Sequence, residues 1–177
     1  MKILLVSFYF PPDLSAGSYR IKALLDSILA EYKDVNIEVF TTTPNRYKSY
    51  RPEIDDVYDN RVKINRFKIY NHNSGLLGQM IAFFLFSISV LKKTKYGDWD
   101  LVFATSSRLM TAYLGSIISK RKGIPLYLDI RDLFVDTIND VYSRKLVIFL
   151  SYFLKLIEKK TYLQAKKINL VSNGFNN

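Results

Sequence analysis

The stretch that most limits what this chain can become is its beginning. KILLVSFYF at residues 2–10 runs straight into Pro11 and Pro12. The run keeps no alternation of polar and apolar side chains, which describes a strand buried on both faces of a parallel sheet. Proline lacks the N–H that a strand ladder needs, so the strand is expected to end there. Ser18 is then placed to cap a helix whose apolar residues Ile21, Leu24, Leu25, Ile28, Leu29 and Tyr32 fall at helical spacing. A buried strand, a loop with one glycine and a helix start form the first unit of a doubly wound α/β domain. In that unit the unpaired backbone N–H groups and the helix dipole favour a phosphate.

The rest of the chain repeats the pattern. Strands are expected at 35–43, 62–69, 101–105, 124–130 and 167–171, and helices at 76–96, 109–122 and 143–166. Gly123 follows the basic end of the second of these helices as a C′ glycine. The 62–69 strand alternates imperfectly, as a strand near a sheet edge does. The polar connection 44–61, rich in tyrosine and arginine, is long enough to be functional. The fold class that follows is a Rossmann-like, mainly parallel α/β sheet with helices on both faces. Its 177 residues suit one domain. Ligands of such sheets bind beyond the C-terminal ends of the strands, which places the working face at 12–20, 42–50, 71–75, 105–108 and 131–140.

Composition narrows the chemistry. With no cysteine, no disulfide framework or thiolate metal site exists. A formal net charge of +10 favours anionic partners: nucleic acid, sugar nucleotides or an acidic membrane surface. The lysines and arginines are scattered over helix ends and loops, so no nucleic-acid partner is expected. The apolar start is too short for a signal peptide, and no run reaches the ~20 residues of a membrane span. After the first strand only Gly17 is available, so the dinucleotide fingerprint is missing, and no phosphate-loop motif occurs. His72 is the only histidine, which leaves almost no material for a catalytic triad or an imidazole metal site. Asp98 and Asp100 spell D-x-D, but before a strand, at the wrong end of the sheet, where a helix-to-strand turn is the better reading.

Three motifs stand at strand ends: PPDLSAGSYR at 11–20, ATSS at 104–107 and LDIRDLF at 128–134. Together, and in order along the whole chain, they resemble the N-terminal half of family-4-type glycosyltransferases of the GT-B fold, in particular enzymes of bacterial surface-polysaccharide assembly. The resemblance implies two Rossmann-like domains facing across a cleft. The first holds a saccharide or polyprenyl-diphosphate-linked acceptor; the second holds most of the nucleotide-sugar donor. Residues 1–177 are then a single acceptor-binding domain, inactive alone, with the donor-binding domain outside this chain. Retention of anomeric configuration, no essential metal and no further cofactor are also implied, as is a cytoplasmic location at the inner face of the plasma membrane.

The resemblance also assigns residues. Gly17, Ser18 and Arg20 stand against the donor diphosphate, whose charge grows as the glycosidic bond breaks. Many relatives have two adjacent glycines where this chain has Ala16 and Gly17. Arg131 and Asp132 occupy the place of a His-Asp pair that contacts the transferred sugar, and are the catalytic candidates. Asp132 would meet a sugar or acceptor hydroxyl, and Arg131 a phosphate or Asp136. Asp13, Arg46, Tyr47, Ser106, Ser107, Arg108 and Asp136 complete the candidate substrate-binding set. A plainer reading stands beside each: a turn glycine at Gly17, a structural Arg131–Asp132 pair, a helix cap at Ser106. Asp129, inside its strand, is read as making a structural hydrogen bond.

Two helices carry more apolar surface than a sheet needs. In 76–96, Leu77, Met80, Ile81, Phe84, Leu85, Ile88 and Leu91 make the stripe expected to face the sheet, with Leu76, Phe83, Phe86 and Val90 off it. In 143–166, Leu146, Phe149, Leu150, Phe153 and Ile157 make the stripe, widened by Val147, Ile148, Tyr152 and Leu156. Packing on a neighbouring helix explains the excess, and so does an acidic membrane surface, given the nearby lysines. An alternative to the enzyme is a non-catalytic binding or membrane-docking subunit of a two-chain transferase. A Rossmann-like cofactor binder is disfavoured by the missing glycines.

Overall fold

The computed structural model describes residues 1–45, 47, 52–54, 58–69, 76–105, 109–130 and 144–170. β1 (Lys2–Val6) lies at the centre, paired in parallel with β2 (Asn36–Thr42) on one side and β4 (Leu101–Thr105) on the other. Leu4 and Val6 enter one hydrophobic cluster, Ile3 and Leu5 the other, so the unalternating run is buried on both faces as expected. With β3 (Val62–Phe67), β5 (Leu126–Ile130) and β6 (Lys167–Leu170), the sheet has six strands in the order β3-β2-β1-β4-β5-β6, every pair parallel. The chain moves outward from β1 to β3, returns to the middle and moves outward again from β4 to β6. The connections therefore diverge between β1 and β4, and a crevice opens there at the C-terminal ends.

α1 (Ala16–Glu31) covers the Ile3 face through Ile21, Leu25 and Leu29. α2 (Leu76–Lys93), continued by a 3-10 turn at Thr94–Tyr96, and α3 (Leu109–Lys122) cover the opposite face. α4 (Arg144–Gln164) packs outside α3 through Leu154 and Ile157 against Leu109. No described helix is long and apolar enough to cross a membrane.

Several sequence expectations need correction. β1 stops at Val6 rather than Phe10. Phe8, Tyr9 and Phe10 are all buried, and Phe8 packs on Phe83 and Phe86 while Phe10 enters the α1 face. The Phe8 carbonyl is taken by the Thr42 hydroxyl at 2.7 Å instead of a strand partner. The cap of α1 is Ser15, not Ser18. Ser15 is extended and its hydroxyl accepts the Ser18 N–H at 3.1 Å, the reach of a cap to the third helical residue. β5 starts at Leu126 because Ile124 closes α3, exchanging bonds with the Ser119 carbonyl and hydroxyl at 3.2 and 2.6 Å. Gly123 takes φ +67°, as a C′ glycine does.

The largest correction concerns α2. Phe83, Phe86 and Val90 face the sheet, while Met80, Ile81, Phe84 and Leu85 face solvent, the reverse of what was expected of these residues; Leu91 packs on the core as expected, and the side chains of Leu76 and Leu77 lie outside the described ones. Edge-on ring contacts decide it: Phe86 meets Phe8 at 5.4 Å and Phe67 at 5.9 Å, and Phe40 bridges Phe67 and Trp99. In α4, Phe153 is exposed and Leu154 takes the core position with Ile157. The side chains of Leu146, Phe149 and Leu150 lie outside the described ones.

Candidate functional site

The C-terminal rim is built from short polar links between strand ends. At the crevice the Ser7 and Thr105 hydroxyls stand 3.4 Å apart, tying the end of β1 to the end of β4. Ser7 also donates to the Tyr9 carbonyl at 2.6 Å, which fixes the bend after β1. The loop from Pro11 to Ser15 is held from two sides. The Arg66 Nη2 donates to the Pro11 carbonyl at 2.6 Å, and the buried Asp13 carboxylate accepts the Asn45 backbone N–H at 3.1 and 3.2 Å. The Asn45 amide in turn donates to Thr42 Oγ1 and the Thr43 carbonyl, so the segments after β1 and β2 form one unit.

α1 opens directly onto this rim. Its first turn contains no acidic residue. The first amides of any helix have no intrahelical partner and point outward from its N-terminus. The Ser18 N–H goes to Ser15 Oγ, and the buried Ser18 hydroxyl lies 3.0 Å from the same oxygen. The Ser18 groups that a phosphate would use are thus engaged within the turn, and among the described residues the amides of Ala16 and Gly17 have no hydrogen-bond partner. Gly17 lies within α1, and Gly123 is the only described glycine with positive φ. A helical glycine gives up stability relative to alanine.

Arg20 ties α1 to the sheet. Its Nε and Nη2 donate to the two Asp129 oxygens at 2.8 and 2.7 Å, a bidentate pair joining α1 to the end of β5. Asn169 of β6 donates a third bond to Asp129 at 2.7 Å. The bonds to Asp129 hold the guanidinium above its ordinary pKa, with burial opposing. Asp129 therefore makes the structural contacts expected of it, with Arg20 and Asn169 as partners that no local spacing announces.

The structure thus brings Asp13, Gly17, Ser18 and Arg20 to one rim, and gives Asp13 and Arg20 protein partners instead of open ones. Tyr47, near the start of the connection after β2, is exposed. Arg46, Ser106, Ser107, Arg108, Arg131, Asp132 and Asp136 lie outside the described residues. The strands leading to the last six, β4 and β5, end at this rim with Thr105 and Ile130. Asp98-Trp99-Asp100 lies at the opposite end of the sheet: the Asp100 carboxylate accepts the Lys2 N–H at 2.7 Å, and the buried Trp99 donates to Glu38 at 3.0 Å. Among the described residues no group of three histidine or acidic side chains is placed to hold a metal.

No protein-family model matches the chain, and no curated protein does. Solved structures do. The UGT2 glycosyltransferase of Phytolacca americana, complexed with UDP-2-fluoro-glucose and pterostilbene, aligns with TM-score 0.55 and 12% identity over 96% of this chain and 47% of its own. A UGT transferase from Siraitia grosvenorii in complex with UDP aligns with TM-score 0.52 and 10% identity over 96% of this chain and 44% of its own. The chain therefore has the fold of one Rossmann-like half of a GT-B glycosyltransferase and spans a little under half the length of these structures.

Proposed function

We propose that the chain is the acceptor-side half of a retaining, family-4-type glycosyltransferase, with the donor diphosphate lying against the first turn of α1. The observation that carries this reading is that acid-free turn. It opens at the point where the connections from β1 and β4 diverge, and it is held there by the Arg20–Asp129 pair and the Asp13–Asn45 bonds. The leaving diphosphate gains negative charge as the glycosidic bond breaks. Fixed N–H dipoles aimed at that charge lower the barrier without rearranging during the reaction. The Ala16 and Gly17 amides supply such dipoles, and the absent Gly17 side chain lets the phosphate approach. Arg131 and Asp132, following β5, are assigned the phosphate and a sugar or acceptor hydroxyl, with Arg46, Tyr47, Ser106, Ser107, Arg108 and Asp136 around the acceptor. This assignment rests on the motif resemblance. So do a saccharide or polyprenyl-diphosphate-linked acceptor, a role in bacterial surface-polysaccharide synthesis, and inactivity of residues 1–177 alone.

The test is transfer by the full-length gene product from a panel of nucleotide sugars to a polyprenyl-diphosphate-linked saccharide, with the product anomer read by NMR. The expected result is a product with the donor's configuration, and none from residues 1–177. An inverted product contradicts the retaining mechanism, and failure to bind or turn over any nucleotide sugar contradicts the whole reading.

A further inference from the structure

The face of the sheet that α1 covers changes character at its last register row. Ile64, Val39, Leu5, Phe103 and Tyr127 lie side by side across five strands and all belong to the apolar cluster under α1. Two residues further along, the same face reads Arg66, Thr41, Ser7, Thr105, Asp129 and Asn169, a polar row that crosses the sheet from β3 to β6. Ser7, one residue past β1, keeps the register, because its N–H donates to the Phe40 carbonyl at 3.1 Å.

Ser7, Thr41, Thr105 and Asp129 are buried, and buried polar groups cost free energy unless they are bonded. Most of their bonds go to the chain that joins β1 to α1. Thr41 Oγ1 donates to the Phe8 carbonyl at 3.4 Å, Ser7 Oγ to the Tyr9 carbonyl at 2.6 Å, and Arg66 Nη2 to the Pro11 carbonyl at 2.6 Å. Asp129 takes Arg20, in the second turn of α1, at 2.7 and 2.8 Å. The row thus grips both the loop before α1 and the helix itself. Its ends come from β3 and β6, five strand spacings apart, which is roughly 24 Å, so one diphosphate cannot touch both. Asn169 acts one step back from α1: its amide holds Asp129 Oδ1 at 2.7 Å, the oxygen that Arg20 Nη2 also binds.

We infer that this row is the bed that aims the first turn of α1, and that Arg66 and Asn169 are positioning residues for the donor diphosphate. Arg66 acts through the Pro11 carbonyl, and Asn169 through Asp129 and Arg20. Loss of either end lets one side of the bed relax and turns the Ala16 and Gly17 N–H dipoles away from the leaving charge. Such dipoles are effective only while they stay aimed. The inference deepens the proposed function and rests on the diphosphate lying at that turn.

The experiment compares the full-length wild type with Arg66→Met, Arg66→Lys and Asn169→Leu by amide NMR and by calorimetric titration with UDP-glucose, GDP-mannose and UDP. Without ligand, the Ala16 and Gly17 resonances should move in Arg66→Met and in Asn169→Leu. The dissociation constant of the nucleotides that bind should rise about threefold to thirtyfold in each. Arg66→Lys keeps a cationic donor for the Pro11 carbonyl and should recover most of that loss. Asn169 is exposed, so its variant should fold even if Arg66→Met does not. The control is Gly97→Ala, whose added Cβ would meet the buried Trp99 ring at the opposite end of the sheet. It should lower the melting temperature and leave nucleotide affinity unchanged. The inference is overturned if the free-protein resonances of Ala16 and Gly17 stay in place in Asn169→Leu. It is overturned too if that variant binds like the wild type, or if Gly97→Ala weakens binding as much, which would make the effect one of general stability. A wild type that binds none of the three nucleotides contradicts the donor site itself, whereas the free-protein resonances still decide whether the row aims the turn.

Discussion

The Arg20–Asp129 pair predicts that its two halves are unequal when removed. The Asp129 side chain is 3% exposed and the Arg20 side chain 36%. Arg20→Met strips two charge-assisted bonds from a carboxylate that cannot reach water and leaves it only the Asn169 amide at 2.7 Å. Leaving a buried charge without its counterion costs about 3–5 kcal/mol, and the remaining amide bond puts this case near the lower figure. Asp129→Asn keeps the shape and frees a guanidinium that turns to solvent, so the loss is that of the charged hydrogen bonds, about 1.5 kcal/mol. The expected gap is therefore about 1.5–2 kcal/mol, with Arg20→Met the worse. In a domain of this size that corresponds to a difference of roughly 3–8 °C in melting temperature. Urea unfolding at neutral pH, followed by circular dichroism with the slope checked for constancy, measures it. Equal losses, or a larger loss for Asp129→Asn, would refute the claim that burial sets the asymmetry.

Other expectations follow from single contacts. A Cβ on Gly115 would stand 2.5 Å from the Ala104 Cβ, so Gly115→Ala should lower stability by about 1–3 kcal/mol in the same assay despite alanine's better helix propensity. Ser15→Ala removes the cap of α1 and should cost about 1 kcal/mol, visible as faster amide exchange in the first turn. Asp26 is held below its ordinary carboxylate range chiefly by the hydrogen bond from Tyr58, then by Lys22, with burial opposing. A depressed folded value gives stability that is present above the unfolded value near 3.8 and is lost as pH falls through the lower folded value. Tyr58→Phe should flatten that part of the acid limb in a pH series of melting temperatures.

The element order, the central position of β1 and the rim location were legible because each rests on local pattern: an unbroken apolar run, proline stops, a C′ glycine, helical spacing. What the pattern did not show depends on partners far along the chain. α2 is apolar on both sides, so periodicity offers two faces of similar merit. The choice of Phe83 and Phe86 for the core comes from Phe8 and Phe67, which the fold delivers from elsewhere. Arg20 read as an open cation at a phosphate loop, but Asp129 meets it from 109 residues away. Ser15 and Ser18 both suit a cap, and only the backbone geometry separates them: Ser15 is extended, and Ser18 is already helical. Asp13 accepts the Asn45 N–H from 32 residues away, a contact no local spacing announces.

The central claim, that the open first turn of α1 receives the donor diphosphate, is tested most directly by amide NMR of the full-length protein during titration with nucleoside diphosphates and their sugar conjugates. The Ala16 and Gly17 amide resonances are expected to shift saturably with at least one of them, and Gly17→Val is expected to abolish the shift while leaving the fold intact. It is contradicted if those amides stay still while a ligand binds elsewhere, for example at the hollow lined by Lys2, Asn36, Arg61 and Lys63 at the opposite end of the strands.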